Sequence, residues 1–469
     1  MFSPKGVGSC PPEEYIKYVS MLEENDNIEE VEGEVSNTHK AYIYNKALEV
    51  INEENIFEIM SLIPKPFLTK KTEKEADILS VIYNKFLENT EIPCALPVFS
   101  FFSFLSAFCV KNNITYSIPL SDDVNPLDTW ITVLAPSGSA KTFSTSQIKK
   151  MIPSDLAGEK LIEQNFTRPN GAAKFIQELS ELPLTKDGSS QYGYWIEDEA
   201  AQMFKQIEKI GSPLSEIKEY LLKAYDHDIL TRKTKNETVE TKNIILTLFF
   251  INTFESYVNN ISNESMTDGL MRRFNLVYSE KDGRDFTDYS IYNVNKIRDE
   301  VMTDKMIDFF FSVKPDQHFT FSDDCFELYR KYFKIYWHKK YKNILPGKEN
   351  FYRTYMMQSW KFAIFYHFIL GKKGNVIDEE CLVYGMKISL LFAESMKKFF
   401  DFKTKPNHIE KAKSDLDKYI NYLNTNPEIK MRDFTRKFTI KKAEGLIILN
   451  AVKEAGVIKD HVLFNELSK

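Results

Sequence analysis

Lys141 stands seventh in the run Ala135-Pro136-Ser137-Gly138-Ser139-Ala140-Lys141-Thr142, whose composition suits the capture of an anion. An apolar stretch of strand length, Trp130 to Leu134, precedes it, and a helical stretch begins near Thr142. Strand, small-residue loop and helix start is the context in which backbone N–H groups cradle the phosphates of a nucleotide. The helix dipole adds positive potential at the same place. Lys141 supplies a charge for the β- and γ-phosphates, and the Thr142 hydroxyl can ligate Mg2+. ATP and Mg2+ are therefore the expected cofactors, with Ala135 through Thr142 as the binding loop. The usual spacing places glycine at the first and sixth positions of this loop. Both are alanine here, Ala135 and Ala140. The added methyl is small, but it strains any position that needs φ > 0.

Asp198 lies 57 residues beyond Lys141, in the run Tyr194-Trp195-Ile196-Glu197-Asp198-Glu199. An apolar strand ending in Asp-Glu suits metal-assisted phosphoryl chemistry. Asp198 is expected to hold Mg2+ through water, and Glu199 to polarise the attacking water. Glu197 competes with Asp198 for the metal role. A third apolar run, Ile244 to Ile251, ends at Asn252, 54 residues after Asp198, with Thr253 next. Twenty residues on from Asn252 is Arg272, in Asp268-Gly269-Leu270-Met271-Arg272-Arg273-Phe274, which leads into a strand-like run to Tyr278. A guanidinium can stabilise charge on a transferring phosphoryl group. The alternative is that one or both arginines form structural ion pairs, and nothing in the sequence separates Arg272 from Arg273.

These residues need a scaffold. From Thr129, apolar runs of strand length alternate with helical stretches, which argues for an α/β core with a mostly parallel sheet. Upstream, Glu75 to Asn89 has helical periodicity, with Ile78, Leu79, Ile82, Phe86 and Leu87 on one side. Ala95 to Val110 is the most apolar run. It is shorter than the ~20 residues a membrane-spanning helix needs, so a buried helix is expected. Its serines recur at 100, 103 and 106, and Pro97 suits a first helical turn. After about Asp285 strands are expected to disappear, with helices running to about Lys403. The resulting division is an acidic region at 1–74, a helical lead-in at 75–125, the α/β core at 126–285, a helical domain at 286–403 and a terminal domain at 404–469.

The chain has 469 residues, 43% hydrophobic and 27% charged, which excludes a disordered chain, a collagen-like fibre and a small disulfide scaffold. Its formal net charge is −6, so nucleic-acid contact must come from local patches. Residues 1–64 hold thirteen acids against four lysines, and the stretch from Glu23 to Glu34 reads as solvated loop. Five cysteines without CxxC spacing favour a reduced cytoplasm, and no zinc site is expected. The amino terminus lacks the pattern of a signal peptide.

Three basic segments are candidates for DNA contact. Ile229 to Thr241 carries two β-prone runs around a polar turn, so a hairpin is expected, with Arg232, Lys233 and Lys235 near its tip. Arg330 to Lys373 holds eleven Lys/Arg against one acid, interleaved with aromatics such as Tyr332, Tyr336, Trp337 and Tyr352. Such rings either stack on single-stranded bases or form a core from which lysines snorkel outward. The tail from Phe402 reads as helices followed by short strands, the order of a winged helix, which can dock DNA or protein.

The ordered set resembles the ATPase module of primase-helicases from phages, prophages and other mobile elements, related to superfamily III helicases and AAA+ ATPases. The resemblance covers roughly Ala95 to Glu280. It is carried by the SGSAKT loop, the WIEDEAAQM strand-to-helix step, the Arg232-Lys233-Thr234 patch and the GLMRRF box. The alanine before Lys141 resembles the loop of the MCM replicative helicases. The resemblance implies an AAA+-like P-loop ATPase core with helical flanking regions and a C-terminal winged-helix-like domain. It implies that Asn252 or Thr253 orients the attacking water, and that Arg272 or Arg273 reaches the γ-phosphate of a neighbouring subunit. It further implies a hexameric DNA helicase or translocase, with single-stranded DNA in the pore, in the cytoplasm of a bacterial host and with no membrane partner. Too few residues precede the module for a primase domain, so priming would fall to a separate protein. The rival readings are a helicase loader or replication initiator ATPase, and a nucleotide-binding scaffold slowed by its alanines.

Overall fold

Trp130 to Ala135 is apolar apart from Thr132, as suits a strand buried between two layers of helices, and every residue of it is buried. The computed structural model describes residues 76–156, 159–160, 162, 164–209, 211–233, 238–262, 265, 269–280, 283–342, 349–404, 418–423, 425, 431–438 and 445. The principal elements begin with α1 (Ile78–Asn89), α2 (Ala95–Lys111) and the short strands β1 (Thr115–Tyr116) and β2 (Asn125–Pro126). Next come β3 (Trp130–Ala135), α3 (Lys141–Met151), α4 (Ala172–Ser180), β4 (Ser190–Asp198), α5 (Ala200–Ile207) and α6 (Ile217–Tyr225). They are followed by β5 (Ile229–Lys233), β6 (Thr238–Thr253), α7 (Phe254–Asn260) and β7 (Asn275–Tyr278). The remainder holds α8 (Glu300–Ser312), β8 (His318–Phe321), α9 (Asp323–Tyr336), α10 (Glu349–Ile369), β9 (Val376–Ile377), α11 (Glu379–Thr404) and α12 (Met431–Phe438).

The fold is α/β with a mostly parallel sheet, as the alternation of runs led us to expect. The main sheet has the order β4-β6-β3-β7, and all three of these pairings are parallel. Strand β5 pairs antiparallel with the first half of β6. Residue Phe166 bridges Trp195 in parallel, outside β4. Ala135 is level with Thr253, and Asp198 with Ile251, so the carboxyl ends of β3, β4 and β6 share one edge. In open α/β sheets that edge is where ligands bind.

Helix α2 is buried along residues 95–110. Its three serines stitch it to the elements that carry the chemistry. The Ser100 hydroxyl lies 3.1 Å from that of Thr145 in α3, and Ser103 lies 2.8 Å from the Tyr194 hydroxyl in β4. Ser106 donates to the Leu127 carbonyl at 2.8 Å. Helices α10 and α11 cover the β7 side, where the Tyr278 N–H donates to Ser395 Oγ at 3.0 Å. Gly385 permits their close approach, since a Cβ there would lie 2.1 Å from the Ser359 carbonyl oxygen. One contiguous apolar core runs from Ala76 to Phe400. No helix of the described residues is long and apolar enough to cross a membrane.

One expectation changes, and one open alternative is settled. Strands do not disappear after Asp285. β8 and β9 join β1 and β2 in a second sheet of order β9-β8-β1-β2. Strands of two to four residues are too short to show a period of two, and their partners lie far away in the chain. The aromatic segment within 330–373 is core. Tyr332, Tyr336, Tyr341, Phe351, Tyr352 and Tyr355 are all buried. Tyr332 and Tyr336 stack on each other at 5.6 Å, and Tyr336 and Tyr352 at 5.7 Å. The region 404–469, expected to be winged-helix-like, falls largely outside the described residues. Within it, α12 packs Phe434 and Phe438 against Tyr419.

Candidate nucleotide site

The loop after β3 turns tightly, with the Ser139 N–H donating to the Pro136 carbonyl at 3.3 Å. Gly138 takes φ +76°, and nothing would obstruct a Cβ there, so backbone conformation alone selects glycine. Ala140 takes φ +48°, ψ +40° immediately before α3. The left-handed conformation that glycine normally provides is thus held by an alanine. Ala135 has ordinary strand geometry, so of the two missing glycines only the second carries strain. The Ser139 hydroxyl is buried without a partner. Lys141 is half-buried and makes no ion pair among the described residues, leaving its ammonium available to phosphate.

Opposite the loop, β4 delivers its acids. The Thr142 hydroxyl donates to Asp198 Oδ2 at 2.5 Å, and both residues are exposed. Strand β6 lies between β3 and β4, so their ends are roughly 10 Å apart at the usual strand spacing. The first turn of α3 spans that gap. A hydroxyl and a carboxylate oxygen in contact suit Mg2+, which takes one or two protein oxygens and fills its octahedron with phosphate and water. Glu197 does not compete. Its carboxylate lies 3.2 Å from Arg168 Nε and accepts from Trp195 Nε1 at 3.1 Å.

Glu199 follows at φ +56°, ψ +39°, its N–H donating to the Ile251 carbonyl at 2.8 Å. A second non-glycine residue thus sits left-handed at a helix start on this edge, and such strain clusters at functional sites. Asn252, fully buried at the end of β6, accepts from the Ala201 N–H at 2.7 Å and so caps α5. That bond orients the amide, and its Nδ2 donor is left buried without a partner. Thr253 is committed elsewhere, its hydroxyl accepting from the Ser256 N–H as the cap of α7. Of the two residues, Asn252 is the one whose donor is buried without a partner.

The arginines lie elsewhere. Asn275 is level with Ile131, so Arg272 and Arg273 precede the amino end of the sheet. Four residues of strand, roughly 13 Å, separate that level from Ala135. They differ from each other as well. Arg273 Nη2 lies 2.8 Å from Asp226 Oδ2, its Nη1 donates to the Gly269 carbonyl at 3.2 Å, and its guanidinium covers the Tyr225 ring at 5.1 Å. Arg272 is half-buried and has no ion-pair partner among the described residues.

The hairpin forms as expected, with Arg232 opposite Val239 and Lys233 opposite Thr238. Its end of β6 is fourteen residues, roughly 45 Å of extended chain, from Asn252. Arg232 lies 3.6 Å from Glu216, and Lys233 is exposed. Lys235 lies outside the described residues. The fold therefore brings the loop, Asp198, Glu199 and Asn252 together, and sets the arginines and the hairpin at the opposite edge.

Asp128, just before β3, had no sequence signal. It is buried, 2.8 Å from Lys361 Nζ of α10 and 3.4 Å from His227 Nε2. Burial opposes its charge, but the Lys361 ammonium and then His227 outweigh burial and hold the carboxyl well below the usual range. No protein-family model matches this chain, and no curated protein matches it.

Proposed function

We propose that the chain is an Mg2+-dependent P-loop ATPase, AAA+-like in its core, that assembles as a ring, most simply a hexamer. It acts as a DNA helicase or translocase in replication of a phage or other mobile element. The carrying observation is the Thr142–Asp198 contact at the carboxyl edge of the sheet, with Glu199 and Asn252 beside it. Lys141 and the loop amides bind the β- and γ-phosphates. Bound Mg2+ supplies charge neutralisation between those phosphates. Glu199 polarises the attacking water, and the spare Asn252 donor orients it. Arg272 stands too far from its own loop to act there, so its phosphate is a neighbour's. Arg232 and Lys233 on the hairpin, with Lys235 two residues further in the sequence, meet the phosphates of a single strand in the pore. The winged-helix-like tail is a second docking module. The backbone that Ala140 adopts is the one the loop needs, which favours turnover over an inert scaffold.

The test is mixing. Arg272→Ala and Lys141→Ala rings are each expected to be inactive in ATP hydrolysis. A mixed ring contains interfaces that join an intact loop to an intact neighbouring arginine, so phosphate release should partly return. No recovery in rings shown to hold both variants would reject the trans arginine. Strand displacement from a forked DNA then separates a helicase from a loader or initiator.

A further inference from the structure

The two arginines of the GLMRRF box have different surroundings, and the partner of Arg273 lies in an informative place. Asp226 and Tyr225 end α6, and the hairpin strand β5 begins three residues after Asp226, at Ile229. The intervening turn is held by backbone hydrogen bonds. The His227 N–H donates to the Ala224 carbonyl at 3.2 Å, and the Asp228 N–H donates to the Lys223 carbonyl at 3.0 Å. His227 itself takes φ +57° and approaches the buried Asp128. On the other side, Gly269 takes φ +93° and has no side chain to displace the guanidinium groups. A Cβ there would meet Arg272 Nε and Arg273 Nη1, each at 3.1 Å. Arg273 therefore bridges the hairpin base and the backbone of the box, with only 11% of its side chain exposed. Arg272, next to it, is left without an ionic partner among the described residues.

Resting on the trans-arginine mechanism proposed above, we infer that Arg273 is a positioning residue that clamps the arginine box to the hairpin base through Asp226. Load on the hairpin from a bound single strand reaches Arg272 through this clamp, and so reaches the nucleotide of the neighbouring subunit. The bidentate fork is required. Lysine has one ammonium and cannot serve Asp226, the Gly269 carbonyl and the Tyr225 face together. Misplacement of a group by about 1 Å can cost roughly 10²-fold in rate.

The test compares Arg273→Lys, Asp226→Asn and Arg272→Ala in the full chain. ATP affinity, hydrolysis rate with and without an oligothymidylate strand, and melting temperature are measured for each. Arg273→Lys and Asp226→Asn should bind ATP as the parent does and lower kcat at least tenfold. They should also reduce stimulation by the strand to less than twofold. The double variant should be no worse than either single one, since both break one clamp. Two outcomes overturn the inference: parental rate and stimulation in both variants, or a lower melting temperature with the stimulation ratio unchanged. Full activity of Arg272→Ala would instead reject the trans arginine itself, and the clamp's role with it.

Discussion

Ala140→Gly separates the two alanines that replace the loop's usual glycines. Ala140 sits at φ +48°, ψ +40°, where an L-residue costs about 1–2 kcal/mol relative to the right-handed region. Glycine removes that strain, but its freer unfolded chain costs about 0.4–1 kcal/mol. Loss of a half-buried methyl trims the gain further. The substitution should therefore stabilise the protein by up to about 1 kcal/mol. Ala135→Gly is the control. Ala135 is fully buried in regular β3, opposite Thr253. Glycine there costs about 0.5–1 kcal/mol in backbone entropy, and the buried methyl is worth about 0.8 kcal/mol more. The two variants should differ by about 2 kcal/mol, with opposite signs. Urea unfolding at unchanged slope reads the difference. Binding of a fluorescent ATP analogue to Ala140→Gly should match the parent, because the loop already holds the backbone that glycine would adopt. If both variants are destabilised equally, the left-handed strain at Ala140 is not real and the loop is shaped in another way.

Glu199→Gln should retain ATP binding and abolish phosphate release, while Asp198→Asn should weaken the Mg2+ dependence of binding through loss of the carboxylate that Thr142 meets; parental turnover in both would remove the acidic strand from the chemistry. Asp128→Asn leaves the Lys361 ammonium buried without a counter-charge, holding only the Asp128 backbone carbonyl, so it should cost about 3–5 kcal/mol, read as a fall in melting temperature. Because the folded Asp128 carboxyl titrates below its unfolded value, its stabilisation is complete above the ordinary carboxylate range and is lost as pH falls below about 4. The parent's melting temperature should accordingly drop more steeply between pH 5 and pH 3 than that of Asp128→Asn, and parallel curves would show that the Asp128–Lys361 pair contributes nothing to acid stability.

Local signals carried much of the fold. Strand, small loop and helix start around Lys141 are written in consecutive residues. The apolar runs ending at Asp198, Asn252 and Tyr278 are also legible, because a strand buried on both faces must be apolar throughout. The buried α2 could be read from Ala95 to Val110, but the partners of its three serines could not. Other features depend on which segments meet. Whether the rings between Arg330 and Lys373 face solvent or core is a question of what packs against them. Arg272 and Arg273 are adjacent and identical in chemistry, and only the approach of Asp226 from 47 positions away distinguishes them. Asp128 and Lys361 are 233 positions apart, and no periodicity links them. The sequence by itself determined the loop, the acidic strand and the α/β alternation, since each is local and has its own spacing. Only the tertiary structure decided that Ala140 is the strained alanine, that Glu197 is occupied by Arg168, and that the arginines stand at the edge opposite the loop, because backbone conformation, pairing and register are set by contacts between distant segments.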